Sequence, residues 1–183
     1  MPAEAHDADL DIETVVGAVA GATLTGVRYW ETPCFGEGVD DEWPPGGPHR
    51  VGHGVDLIFG DTTVAVTWGL EELQVWPFSL VEFLLTGRFE AVNEKAPWSR
   101  WIGQRIDRVR VHWLDFTSGS VTKRARFALE LRMASSDFIV LAAASYHDSG
   151  THAFPGGDDI VVAWELDHIR NVLPDLTTSV EPE

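Results

Sequence analysis

The sequence predicts a mainly β fold of the α+β class: an antiparallel sheet or sandwich built from two related strand-hairpin units, with one or two short helices. Three observations carry this expectation. Apolar and polar residues alternate with a period of two in "RVRVHW" and "RARFALELRM", the pattern of strands with one face inward and one toward water. Short apolar runs are separated by turn-forming residues, as in "GDTT" and "ASSD". Segments that read as helix are few and short.

In chain order, residues 10–20 hold alanines and valines compatible with a helix, weakened by Gly17 and Gly21. Strands are expected over 23–30, 54–60 and 63–69. Between the first two, residues 31–53 contain Pro33, Pro44, Pro45, Gly46, Gly47 and Pro48 and read as a long loop. "SLVEFLLTG" places Glu82 three residues after Ser79, the capping-box spacing, with Gly87 as a C-terminal stop. Further strands follow over 108–113, 124–133, 137–145 and 158–165. A last short helix is expected through "LDHIRNVL", ended by Pro174. Residues 1–9 and 175–183 read as tails.

The chain repeats itself in outline. "GATLTGVRYW" from Gly21 and "GQRIDRVRVH" from Gly103 share G-x-x-[LI]-x-x-V-R at an offset of 82 residues. "VDLIFGDTTVAV" from Val55 and "LELRMASSDFIV" from Leu129 match Asp56, Leu57 and Phe59 to Glu130, Leu131 and Met133 at an offset of 74. The expectation is one domain over 1–183 containing an internal duplication, with copies over about 15–75 and 97–165.

Composition narrows function by exclusion. The 183 residues carry a formal net charge of −16, which disfavours nucleic acid because phosphate repels an acidic surface. No apolar run approaches the roughly 20 residues of a membrane helix, and the acidic start "MPAEAHDADLDIE" lacks the features of a secretory signal. A cytoplasmic protein is expected. The one cysteine, Cys34, has Glu31, Glu37, Asp40 and Asp41 nearby, and acidic neighbours oppose thiolate formation. No nucleophile elbow, phosphate-cradling loop or dinucleotide fingerprint occurs, so no cofactor is expected.

Histidines offer the weak chemical signals. His49, His53, His147, His152 and Asp158 are ligand-capable, yet "HDSGTHAFPGGD" reads as a hairpin loop and "HRVGH" is broken by glycine. They remain metal candidates only if the loops converge.

Charge is unevenly spread. Residues 100–132 carry eight basic and three acidic side chains, +5, so the rest of the chain sums to −21. If the strands near 108–112 and 124–132 pair with strict alternation, Arg108, Arg110, Arg124, Arg126 and Arg132 share one sheet face. Glu130 or Asp107 could neutralise that face from within, or it could bind an anion, a protein partner or the acidic half of a second copy. Among the eight tryptophans, Trp68, Trp113 and Trp164 fall on strands and are expected in the core. Trp43, Trp76 and Trp98 adjoin prolines and are expected to be part-exposed, Trp43 as a contact residue. The functional expectation is a non-enzymatic protein-binding module, of the general character of immunity or antitoxin proteins. The alternative is a small-ligand or metal-binding protein, or a hydrolase, using the loop His and Asp residues.

Overall fold

The structure is a computed structural model that describes residues 12–31, 47–69, 72–82, 88–95, 97–118, 121–146, 153–165 and 167–168. One helix, α1 (Ile12–Val19), precedes β1 (Gly26–Glu31), β2 (His49–Val51), β3 (Gly54–Phe59), β4 (Thr62–Trp68), β5 (Leu73–Trp76), β6 (Arg88–Ala91), β7 (Ile106–Ser118), β8 (Val121–Met133), β9 (Phe138–Tyr146) and β10 (Ala153–Ala163). Single 3-10 turns lie at Leu80–Glu82 and Trp98–Arg100. The fold is mainly β, as expected. Two five-stranded sheets have the orders β5-β4-β3-β1-β6 and β2-β10-β9-β8-β7, and every strand pairing is antiparallel.

Alternation buries one face of each sheet against the other. Val27, Tyr29, Val55, Leu57, Val64, Val66, Leu73 and Val75 from the first sheet join Leu129, Leu131, Ile139, Leu141, Ile160 and Val162 from the second in one apolar cluster. Ile12, Val15 and Val19, one stripe of α1, close that cluster. The outer face of the second sheet has a smaller cluster of Ala128, Val140, Ala142, Ala144, Val161 and Ala163. Over Ile160–Ala163, β10 is thus apolar on both faces, the pattern of a strand covered on both sides.

The two sheets share a strand order. β1, β3, β4 and β5 run in sequence across the first sheet as β7, β8, β9 and β10 run across the second. The cross-strand partners correspond too: Val27 faces Leu57 and Arg28 faces Asp56, while Val109 faces Leu131 and Arg110 faces Glu130. At their heads the two runs bond to each other. Gly21 N–H donates to Ile106 C=O (2.8 Å) and Gly103 N–H to Leu24 C=O (2.8 Å); Leu24 N–H donates to Gln104 C=O (2.9 Å) and Ile106 N–H to Ala22 C=O (2.8 Å). Exchanging residues 21–24 with 103–106 reproduces the same four bonds, about the Thr23–Arg105 bridge. Both glycines have positive φ, +84° and +86°.

Differences from the sequence reading have local causes. The equivocal stretch 10–20 is helical over Ile12–Val19, where Val15 and Val19 gain burial. β2, β5 and β6 went unread; β2 lies inside the expected 31–53 loop. Three or four residues are too few to display a period, and their sheet neighbours set their conformation. Ser79 caps the turn that follows it, its hydroxyl accepting from Val81 N–H (3.1 Å) while donating to Asp56 Oδ2 (2.5 Å); the Glu82 side chain and residues 83–87 of that expected helix lie outside the described residues. The tails, Cys34, most of the Pro/Gly loop and most of the last expected helix lie outside the described residues.

The heads of β1 and β7 can be tested together. A Cβ added at Gly21 or Gly103 would meet no atom within 4 Å, so only the backbone conformation resists a side chain. Gly21→Ala and Gly103→Ala are each expected to cost about 1–2 kcal/mol in chemical denaturation, with similar values for the two sites.

Candidate functional site

The long hairpin of β7 and β8 carries the arginines, and one extra residue decides where they point. His112 pairs with Ala128 but Trp113 pairs with Arg126, so Phe127 is unmatched. A bulged residue reverses the inward–outward sense of one strand relative to its partner. Below the bulge, Arg108, Arg110 and Arg132 lie on the outer face with His112 and Glu130. Above it, Arg124 and Arg126 share the inner side with Trp113 and Asp115, as the register Trp113–Arg126 and Asp115–Arg124 requires. The single five-arginine face expected from strict alternation is therefore split into two. Trp113, expected in the core, is 46% exposed, because β8 pairs with β9 only over Ala128–Arg132 and the hairpin continues past it.

Each cation finds a different setting. Arg126 makes a bidentate pair with Glu72 of the first sheet (2.6 and 3.1 Å) and ties the base of the hairpin to it. The Arg124 guanidinium lies 5.5 Å from the ring centroid of Trp113, a cation–π arrangement. Arg132 reaches Glu130 at 3.3 Å, and His112 Nε2 meets the same carboxylate at 2.8 Å. Burial pushes the Glu130 carboxyl up, but hydrogen bonds and charge from His112 and Arg132 outweigh it and hold the group below the ordinary range. Among the described residues, Arg108, Arg110 and Arg124 have no ion pair.

The histidine candidates separate. His49 is buried on β2, where its Nδ1 accepts from the Tyr29 hydroxyl (2.8 Å), which in turn accepts from Trp98 Nε1–H (2.5 Å). Trp164 packs edge-on to the imidazole with centroids 4.8 Å apart. His53, half-buried, lies edge-on to Trp68. Trp43, His147 and His152 lie outside the described residues, as does the side chain of Asp158. Among the described residues no group of three His, Cys, Asp or Glu side chains could hold a metal ion. Trp98, expected to be part-exposed beside Pro97, is fully buried because its N–H has a partner inside. Trp76 is half-buried and stacked on Phe78. Sequence reasoning missed the Tyr29–His49–Trp98 chain and the buried Asp56, which lies 3.8 Å from Arg28 and accepts from the Leu80 N–H. A polar residue on an otherwise apolar strand was the available signal at Asp56.

Comparison of the chain with family models, with curated proteins and with solved structures finds no match to it.

Desolvation, aided by the charge of Lys95, lowers the His49 pKa from 6.5 to about 4. Between those values the unfolded chain binds a proton that the folded one refuses, so stability falls as pH drops from 6.5 to 4. The loss from this group is at most about 3 kcal/mol; denaturation curves of His49→Gln should have a correspondingly shallower pH slope. Tyr29→Phe strands two buried polar groups, Trp98 Nε1–H and His49 Nδ1, and is expected to cost about 2 kcal/mol or more.

Proposed function

We propose that the chain is a protein-binding module built from two related four-strand units, whose β7–β8 hairpin forms the contact surface. The single observation that carries this reading is Trp113, 46% exposed on a strand, with Arg124 stacked over it where β8 no longer pairs with β9. Tryptophan and arginine are the side chains that concentrate binding energy at interfaces, and here each holds the other in place. A non-catalytic role accords with His49 being neutral and committed to a hydrogen bond inside the core. No helix among the described residues is long and apolar enough to cross a membrane; a cytoplasmic setting and avoidance of nucleic acid belong to the same proposal.

Support for the duplicated unit comes from the shared strand order, the matched cross-strand pairs and the reciprocal bonds at the strand heads. The binding partner is sought by affinity capture from cells that make the chain, using wild type, Trp113→Ala and Arg124→Ala side by side. One defined protein retained by wild type should be lost about tenfold or more with Trp113→Ala and weakened with Arg124→Ala, while both variants keep the wild-type melting profile. Equal retention by Trp113→Ala, or no defined protein at all, overturns the reading.

A further inference from the structure

We propose that the outer edge of β7 is a strand-addition site for an acidic extended segment of a partner protein, with the pattern Phe-x-Glu-x-Glu running antiparallel to β7. This rests on the partner-binding reading above and names the geometry and chemistry of the contact.

The first observation is an asymmetry between corresponding strands. β1 has β6 along its far edge, whereas β7 is the last strand of its sheet. Among the described residues, backbone bonds to that edge are made at its start, by Ile106, whose N–H and C=O bond to Ala22 and Gly21. From Arg108 onward no described strand pairs with it. An unpaired strand edge is a template for an incoming strand.

The second observation is what β6 does for β1. Arg28 faces Asp56 across the sheet, 3.8 Å away, and Phe89 of β6 brings its ring to 5.5 Å from the Arg28 guanidinium. Arg110 holds the matching place on β7, across from Glu130. Its acid is already engaged by His112 and Arg132, and no described strand lies outside it. Among the described residues, no strand takes on β7 the position that β6 fills on β1.

The internal template sets a register. Arg28 pairs with Ala91 and Trp30 with Phe89, so by correspondence the aromatic residue of a guest lies opposite His112, and later residues pass Arg110 and Arg108. Those three share the outer face, since alternate residues of a strand point the same way. Arg108, Arg110 and Arg132 against Glu130 sum to +2 on that face before His112 is counted. Opposite charges across a strand pair stabilise it and like charges do not, so carboxylates belong opposite Arg108 and Arg110. A second copy fits less well: antiparallel self-pairing of β7 would gather both copies' arginines on one continuous face.

The test uses the full chain and two blocked ten-residue peptides containing Phe-Thr-Glu-Val-Glu or Phe-Thr-Lys-Val-Lys. Fluorescence anisotropy measures binding, and residue-resolved amide hydrogen exchange measures protection along β7. The acidic peptide should bind about tenfold or more tightly than the basic one and slow exchange at alternate amides within 108–116. Arg108→Glu with Arg110→Glu should reverse the preference; Arg108→Ala with Arg110→Ala, which adds no new charge, should abolish it. Peptide binding without β7 protection overturns strand addition. Protection that grows with protein concentration in the absence of peptide, with a doubled mass in sedimentation, assigns the edge to a second copy and overturns the partner assignment. No peptide binding alongside intact Trp113-dependent capture overturns this inference alone; loss of both overturns the partner-binding reading as well.

Discussion

Four reciprocal backbone hydrogen bonds between residues 21–24 and 103–106 fix where the first strand of each sheet begins. They require two chain turns at positive φ, and glycine occupies both. With the heads joined, Leu24 and Ile106 are fully buried beside each other's segments, and the inward sets of β1 and β7 resume three residues beyond each anchor, at Val27 and at Val109, after a register shift between Ile106 and Arg108 in β7. The inter-sheet core follows from this arrangement: Val27 and Leu57 from one sheet, and Leu129 and Leu131 from the other, contribute to one apolar cluster. A one-residue change in either head would invert the corresponding strand.

Most of the strand framework was legible because long amphipathic strands announce their own period. β7 and β8 show it most clearly, whereas β9 and β10 are apolar runs bounded by turn residues, and β10 begins at Ala153, inside the stretch that reads as a hairpin loop. What alternation could not reveal was the bulge at Phe127. The sequence "RARFALEL" continues to alternate through it, since Ala125 and Ala128 are small enough to sit on either face, and both are fully buried. The split of the arginines into two groups therefore lies in the pairing of β8 with β7. Trp113 illustrates a related limit. Its place in the alternation was read correctly, but whether that side is covered depends on where a neighbouring sheet ends. Proline-flanked Trp98 erred the other way, drawn inside by a partner 69 residues distant in sequence.

The corresponding acids Asp56 and Glu130 mark how the two halves differ. Each is buried beneath an outward face and each lies across from an arginine. Asp56 is satisfied locally by Ser79, Leu80 N–H and Arg28. Glu130, one methylene longer, reaches along its face to His112 and Arg132 instead. A buried carboxylate must be hydrogen-bonded, and removal of one partner is more costly than removal of the whole set. Once Glu130 is committed in this way, Arg110 has no acid to itself. Among the described residues, the lack of an ion pair at Arg110 accompanies that commitment.

A positive strand edge on a chain of net charge −16 makes a selective arrangement. At physiological salt, exposed charges are screened beyond about 8 Å, so the acidic bulk acts mainly on what approaches broadly, and polyanions with charge on every side meet repulsion. A single extended strand can lie along β7 and present its carboxylates only to Arg108 and Arg110. Discrimination needs an element that disfavours the wrong ligand as well as one that attracts the right one; in the proposed complex the net negative charge would supply the first and the arginines the second. Charged side chains on an edge are also the means by which sheets avoid unwanted pairing. The two roles coincide here: the arginines that would oppose one another in self-pairing are the ones an acidic guest would satisfy.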